Sequence, residues 1–221
     1  MNLEGKTINF LGDSITEGCG VENMNNRFDN VLKNMCSLKK VNNYGVGGTR
    51  IAPRKVPSEK ARYDLDFALR SKEMDRDCDV VVVFGGVNDY LHGDAPFGTL
   101  DSEDKSTFCG SVRNLCVTLS ALFPSSVIVF FTPAHALGDG GYSTCDIKPQ
   151  IREEHVLLDF CNAIREIAME HGFPVFSLMD ELGLDPNNRE DREKYTVDGL
   201  HFNDLGHIRI AETMKRCIET I

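Results

Sequence analysis

The sequence predicts an α/β fold built on a parallel sheet, and two observations support this. Short apolar segments alternate along the chain with longer segments in which apolar residues recur every three or four positions. The clearest apolar segment, Val80 to Phe84, is apolar at every position, as expected of a strand that is buried on both faces. Strands that alternate with helices are typical of parallel sheets, because each helix crosses from one strand to the next.

The apolar segments give five strands in order along the chain. The first follows from the run Ile8 to Leu11, and the second from the short apolar-polar run around Val41. The fourth follows from Val127 to Phe131, which at five residues is as long an apolar run as Val80 to Phe84. The predicted strands are 7–11, 40–43, 80–85, 127–131 and 174–178.

The periodic segments give five helices. Residues 112–122 and 156–168 have the 3,4 spacing of a helix with one buried side, and Gly172 then marks a helix end. The predicted helices are 26–38, 63–74, 103–122, 151–171 and 205–220.

No repeat, low-complexity tract or linker interrupts the pattern, so we expect residues 1–221 to form a single domain.

Glycine-rich turns follow the first three predicted strands. Gly12-Asp13-Ser14 follows the first strand, residues 43–49 (NYGVGGT) follow the second, and residues 85–89 (GGVND) follow the third. Open parallel sheets bind their ligands at the carboxyl ends of the strands. The sequence therefore predicts a functional site at this edge of the sheet.

Three residues in two distant motifs have the chemistry of a nucleophilic site. The first turn can leave the Ser14 hydroxyl exposed, and near the other end of the chain Asp198 precedes His201 by three positions. A hydroxyl, a base to take its proton and an acid to orient the base are what nucleophilic acyl transfer requires. Each residue alone has a simpler interpretation as a helix cap or a loop histidine. Together they favour a hydrolase.

The chain resembles the SGNH or GDSL-type esterases and lipases. Four blocks that define that family occur here in the family's order, and the resemblance spans about residues 6–217. In the first block Ile15 stands where the four-letter name has leucine. The blocks are Gly12-Asp13-Ser14, Asn43 with Gly48, Gly86-Val87-Asn88-Asp89, and Asp198 with His201.

The resemblance implies a role for five residues. Ser14 would be the nucleophile, His201 its general base and then the general acid, and Asp198 the group that orients the imidazole. The oxyanion would be bound by the backbone N–H groups of Ser14 and Gly48 and by the side-chain amide of Asn88. Glycine at position 48 has no Cβ to block a close approach, and the amide is a donor that does not compete for the proton.

The same resemblance implies a flavodoxin-like three-layer α/β/α sandwich with five parallel strands in the order 2-1-3-4-5. The rival α/β-hydrolase fold carries its nucleophile in a Gly-x-Ser-x-Gly motif. Thr16 stands where that motif requires its second glycine. The sequence therefore favours the flavodoxin-like fold.

Three long loops that follow strands are expected to frame the pocket: 44–62, 86–102 and 132–150. The polar residues in them that could contact substrate are Arg50, His92, Asp94 and His135, and bracing of the loop is the alternative for each. Asp13 and Asp89 are expected to fix backbone turns. The charged segment 185–195 is expected to be a solvated connection.

Composition excludes several classes of partner. The formal net charge of −10 argues against nucleic acid or an anionic membrane surface as a partner. The longest apolar run is far too short to span a bilayer, so no stable membrane association is expected. The chain itself indicates no oligomeric state.

Eight cysteines occur without a Cys-x-x-Cys pair, and six histidines occur without metal-ligand spacing. We therefore expect reduced thiols, no metal site and no cofactor. The first residues contain no apolar signal-peptide core, which predicts a cytoplasmic protein. A native signal peptide that had been removed and replaced by a cloning methionine would leave the same sequence.

These observations predict a serine esterase that forms an acyl-enzyme on Ser14. Its substrates would be small-molecule or carbohydrate esters with a short acyl group, acetyl esters of sugars foremost, because the loop polar residues suit a hydroxylated leaving group. A lysophospholipase or thioesterase of the same fold is one alternative. A non-catalytic carbohydrate- or nucleotide-binding module is another, although such a module has no need of an intact Ser14, Asp198 and His201.

Overall fold

The computed structural model describes residues 1–140 and 155–221. Five strands form one sheet in which every neighbouring pair is parallel, in the order β2-β1-β3-β4-β5. This confirms the α/β class and the strand order that the family resemblance implied. The strands are β1 Thr7–Gly12, β2 Lys40–Gly45, β3 Val80–Phe84, β4 Val127–Thr132 and β5 Val175–Ser177.

Nine α-helices lie within the described ranges. They are α1 Ser14–Glu17, α2 Phe28–Met35, α3 Phe67–Ser71, α4 Val87–His92, α5 Phe108–Leu122, α6 Leu157–Glu170, α7 Leu178–Glu181, α8 Arg189–Tyr195 and α9 Asp204–Ile218. Two 3-10 helices, Met24–Asn26 and Ala61–Tyr63, lie in the connections.

The central strand β3 divides the interior into two apolar cores. Val81 and Val83 point to one side, where they join buried residues of α3, α4, α5 and α6. Val80, Val82 and Phe84 point to the other side, where they join α2, α7 and α9. A strand covered by helices on both faces buries every side chain, which is why the segment is apolar throughout. The result is the expected three-layer sandwich.

The helices α2, α3, α5 and α6 are shorter than predicted. At the amino ends of α3 and α5 a capping side chain, which apolar spacing does not reveal, sets the boundary. Thr107 caps α5, and its hydroxyl accepts the N–H of Gly110 at 3.1 Å. Asp66 caps α3 in the same way. Of the predicted helix 151–171, residues 151–154 lie outside the described residues.

Two segments that were predicted as connections contain helices. The predicted loop 86–102 contains α4, which the glycines on both sides of it conceal in the sequence. The predicted solvated connection 185–195 contains α8, which buries none of its residues and therefore has no apolar periodicity. Of the predicted loop 132–150, residues 141–150 lie outside the described residues.

Seven of the eight cysteines lie in the described part of the chain, and all seven are free thiols. Cys145 lies outside it. Cys109 and Cys116 are both buried in α5, where they pack as small apolar side chains. None of the helices in the described ranges combines the length and the apolar character that crossing a bilayer requires.

The layer between the sheet and α5 should account for a large part of the stability. Leu115 on α5 is fully buried, whereas Val117 two residues later is 55% exposed. We expect Leu115→Ala to lower the free energy of unfolding by about 2–5 kcal/mol, because it removes buried contacts and leaves a cavity. Val117→Ala on the same helix should change it by less than about 0.5 kcal/mol. Urea denaturation of both variants measures the difference, and equal losses would contradict this packing.

Candidate active site

The register of the sheet places three turns side by side. Gly12 at the end of β1 pairs with Gly45 at the end of β2 and with Phe84 at the end of β3. The turns after these three strands therefore begin at the same level of the same edge. They carry the predicted nucleophile and the predicted oxyanion donors.

Ser14 is the first residue of α1 and follows β1 almost directly. The carboxylate of Asp13 caps this helix by accepting the N–H of Ile15 at 3.0 Å, and Gly18 ends it in a left-handed conformation. Ser14 is 7% exposed. Its Oγ lies 3.0 Å from Nε2 of His201, which is 187 positions away in the sequence.

Asp198 holds the imidazole of His201 in one orientation. Its Oδ1 accepts the backbone N–H groups of Leu200 at 2.9 Å and His201 at 2.7 Å, and its Oδ2 lies 2.6 Å from Nδ1 of His201. Burial raises the pKa of Asp198, but hydrogen bonds from the His201 side chain and from the backbone outweigh burial and lower this pKa to about 2. Asp198 is therefore ionised, the imidazole proton lies on Nδ1, and Nε2 is left to accept from Ser14.

The glycine-rich turn after β2 passes close to Ser14. A Cβ on Gly47 would stand 3.5 Å from the Cβ of Ser14. Asn88 in α4 joins the same group, because its Nδ2 donates to the carbonyl of Thr49 at 3.0 Å. Among the residues that the structure describes, the backbone N–H groups of Ser14 and Gly48 have no hydrogen-bond partner. The three predicted oxyanion donors thus follow three neighbouring strands: Ser14 begins α1 after β1, Gly48 lies in the turn after β2, and Asn88 lies in α4 after β3.

Glycine is required at positions 48 and 86 for different reasons. Gly48 has a φ of +72°, and apart from its two chain neighbours no atom of the described residues lies within 4 Å of the position that a Cβ would take. Its left-handed backbone, and not a close protein contact, therefore selects glycine there. Gly86 has a φ of +112°, and a Cβ on it would stand 2.8 Å from Cδ1 of Ile164. This glycine lets the chain turn from β3 into α4.

Glu17 fixes the glycine-rich turn, a role that the sequence did not suggest although the residue lies in the first motif. Its Oε2 accepts the N–H of Gly47 at 2.7 Å, and its Oε1 accepts from Nη2 of Arg62 at 2.7 Å. The side-chain amide of Asn43 stabilises α1, because its Nδ2 donates to the carbonyl of Thr16 at 2.7 Å.

Arg70 is a second support that the sequence did not reveal. Its guanidinium is buried, and it donates to the hydroxyl of Thr49 at 2.7 Å and to the carbonyl of Tyr44. Burial lowers the pKa of Arg70 to about 10. One cation thus joins both ends of the turn after β2, and nothing in the pattern of the predicted helix 63–74 indicates this contact.

All four of the predicted substrate-binding residues contact other protein groups. Arg50 is 5% exposed, and its Nη1 lies 2.5 Å from Oδ1 of Asp94. The second oxygen of Asp94 accepts the N–H of Lys55 at 3.0 Å. Nδ1 of His135 lies 2.5 Å from Oδ2 of Asp139. A role for these residues in substrate binding stays a prediction.

His92, the fourth of these residues, ends α4 one turn after Asn88. Its Nε2 lies 3.0 Å from Oδ1 of Asn88. Substrate contact by His92 also stays a prediction.

Two buried carboxyl groups lie beneath these turns. Asp89 accepts the backbone N–H groups of Ile51 and Ala52, both at 2.9 Å, so it fixes the chain between the glycine-rich turn and its loop. Burial raises the pKa of Asp89 to about 7 and that of Asp13 to about 6, although hydrogen bonds from the backbone oppose both shifts.

Within the described ranges, no group of three or more His, Cys, Asp or Glu side chains is placed to hold a metal ion. His207 is buried in the core beneath α2, where its Nδ1 accepts the N–H of Phe28 at 3.3 Å. Its ring is also stacked on that of Phe28.

Comparison with known proteins decides the family. Residues 10–209 match the GDSL-like lipase/acylhydrolase family, which is most of the chain. The chain belongs to this family. No curated protein sequence shows a significant match to the chain.

Solved structures of similar proteins have the same fold over their whole length. One crystal structure is 31% identical, covers 100% of this chain and 99% of its own, and has a TM-score of 0.85. A protein from Lactobacillus plantarum is 28% identical with a TM-score of 0.82, and 98% of each chain is covered. The acetyl xylan esterase AlAXEase is 22% identical, with coverage of 96% of this chain and 99% of its own and a TM-score of 0.64.

Asp89 should make stability depend on pH in this GDSL-family protein. Its folded pKa of about 7 lies above the ordinary value of 3.8, so folding favours the protonated carboxyl. This contribution to stability is complete below pH 3.8 and is lost as pH rises through about 7. We expect the free energy of unfolding of the wild type, relative to Asp89→Asn, to fall between about pH 5 and pH 8. Urea denaturation at both pH values measures it, and a constant difference would contradict the raised pKa.

Proposed function

We propose that this chain is a serine esterase that hydrolyses carboxylic esters through an acyl-enzyme on Ser14. The observation that carries the proposal is the chain of contacts from Asp198 to His201 at 2.6 Å and from His201 to Ser14 at 3.0 Å. Membership of the GDSL-like lipase/acylhydrolase family supports ester hydrolysis as the reaction.

In the first half of the reaction, Ser14 Oγ attacks the ester carbonyl carbon while its proton passes to Nε2 of His201. The ionised Asp198 stabilises the imidazolium that forms. Collapse of the tetrahedral intermediate breaks the bond to the alcohol oxygen, which takes the proton from Nε2 and leaves. In the second half, water attacks the acyl group, gives its proton to the same nitrogen, and the carboxylic acid leaves as Ser14 regains its hydrogen.

The negative oxygen of both intermediates would bind to the backbone N–H groups of Ser14 and Gly48 and to the Asn88 amide. Support comes from the adjoining position of the three donors and from the two N–H groups without a partner in the described residues. One such donor typically contributes about 2.7–4 kcal/mol of transition-state stabilisation. Stabilisation of the oxyanion by these three donors would therefore be the main contribution of the site to catalysis.

For the substrate we propose an ester with a short acyl group and a hydroxylated leaving group, with acetyl esters of carbohydrates as the first candidates. Two structures of the same fold carry names that agree, the acetyl xylan esterase AlAXEase and a carbohydrate acetylesterase family member from Sinorhizobium meliloti. The polar groups of Arg50, Asp94 and His135 in the loops after the strands suit a sugar better than a long apolar chain.

We further propose that residues 1–221 are a single domain that acts without a cofactor. The α-amino group of Met1 donates to the carbonyls of Ile218 and Glu219, at 3.3 and 3.0 Å, so residues from the two ends of the sequence are in contact.

The net charge of −10 supports a small uncharged or weakly charged substrate over nucleic acid. Seven free thiols support a reducing, cytoplasmic location.

Replacement of the nucleophile tests the mechanism. We expect Ser14→Ala to keep the fold and to lose at least about a thousandfold in kcat, because a triad without its nucleophile retains only binding and oxyanion stabilisation. A fluorophosphonate should label the wild type once, at Ser14, and should leave the variant unlabelled. Circular dichroism confirms folding. A folded variant that keeps a tenth of the wild-type kcat would remove Ser14 from this role, and an unlabelled, inactive wild type would favour a binding module.

Graded substrates test the specificity. Among p-nitrophenyl esters from acetyl to dodecanoyl, we expect the acetyl ester to have the highest kcat/KM, with a fall of roughly tenfold or more by octanoyl. Acetylated xylo-oligosaccharides should be deacetylated with release of acetate. A maximum at long acyl chains, or preferred hydrolysis of a lysophospholipid or an acyl thioester, would favour the lysophospholipase or thioesterase alternative.

A further inference from the structure

The side chains of Asn88 and His92 lie on the same face of α4, since residues four positions apart are neighbours on a helix. Nε2 of His92 lies 3.0 Å from Oδ1 of Asn88. Nδ2 of Asn88 donates to the carbonyl of Thr49 at 3.0 Å. Both the oxygen and the nitrogen of the amide therefore have a partner within the protein.

These two contacts fix the direction of each hydrogen bond. The carbonyl of Thr49 can only accept, so Nδ2 of Asn88 faces it and Oδ1 faces the other way. Oδ1 can also only accept, so Nε2 of His92 is the donor and carries a proton. This is the opposite tautomer to that of His201, whose proton lies on Nδ1.

The surroundings of His92 favour its neutral form. Burial lowers the pKa of His92 to about 4, and the nearby guanidinium groups of Arg50 and Arg54 lower it as well, while Asp94 opposes them. The ring therefore has one proton, and the contact with Asn88 places it on Nε2. A neutral His92 can therefore orient the Asn88 amide without placing a positive charge beside the substrate oxygen that becomes the oxyanion.

We propose that His92 is a positioning residue that holds the Asn88 amide in line with the oxyanion. This inference rests on the proposed function of the site. With Oδ1 bound to His92 and one N–H bound to Thr49, the amide plane cannot turn, and the second N–H is left for the substrate oxygen. A donor that is already aligned need not reorganise as charge develops in the transition state.

The role differs from the substrate contact that the sequence predicts for His92 from its place in the expected loop 86–102. The Nε2 atom is occupied by Asn88, so its effect reaches the substrate only through that amide. Loss of the contact should therefore lower kcat, which depends on transition-state stabilisation, and leave KM almost unchanged.

A matched pair of variants tests the hydrogen bond itself. Met and Gln have side chains of the same length, and the Gln amide nitrogen stands as many bonds from Cβ as Nε2 does in histidine. We expect His92→Met to lower kcat for p-nitrophenyl acetate roughly tenfold with KM within about twofold, and His92→Gln to keep at least about half of the wild-type kcat. Equal losses in the two variants, or an unchanged kcat in His92→Met, would overturn the proposal.

A double-mutant cycle separates positioning from a general structural role. In an Asn88→Ala background the amide is absent, so His92→Met should lower kcat by less than about twofold further. A tenfold further loss would show that His92 acts independently of Asn88 and would overturn the proposal. This comparison holds even where His92→Met lowers the melting temperature, because both backgrounds carry the same substitution.

Two controls complete the experiment. His171→Ala removes an imidazole at the end of α6, next to the amino end of β5 and so at the opposite edge of the sheet, and should leave kcat unchanged. Ser14→Ala reports on the proposed function separately. Activity that persists in Ser14→Ala contradicts the serine mechanism, whereas a Ser14-dependent wild type with an unaffected His92→Met contradicts only the role of His92.

Discussion

The candidate site depends above all on the register between β1 and its two neighbours. Gly12 is level with Gly45 on one side and with Phe84 on the other, so the turns that follow start together. A slip of one residue in either pairing would displace a turn by about 3.3 Å, which exceeds the tolerance of any hydrogen bond in the site. The apolar cores on both faces of β3 hold this register.

Polar side chains, two of them buried, then fix each turn to the next. Asp89 binds the chain after the glycine-rich turn, Arg70 binds both ends of that turn, and Glu17 binds its centre. Burying the charges of Asp89 and Arg70 costs free energy, and the raised pKa of Asp89 is a sign of that cost. Hydrogen bonds to backbone groups offset it. The backbone N–H groups beside Ser14 are therefore held in place by the fold itself.

The sequence was sufficient for the strands but not for the helices at the site. A run such as Val80 to Phe84 has one physical explanation, burial on both faces, and so it was placed correctly. The glycines that flank α4 favour a loop in the sequence, and α8 has no apolar periodicity because none of its residues is buried. Helix ends were set by caps such as Thr107, whose effect depends on one hydrogen bond and not on periodicity.

The sequence by itself determined the α/β class, the family and the residues of the four blocks, because these depend on residue type and on spacing along the chain. Only the tertiary structure decided which groups meet across long separations. The contact of Ser14 with His201 spans 187 positions, and that of Arg70 with Thr49 spans 21. Likewise, the partner of His92 follows from the orientation of one amide, which Thr49 sets from another turn. Distances and hydrogen-bond directions exist only once the chain is folded, so no pattern along the sequence could supply them.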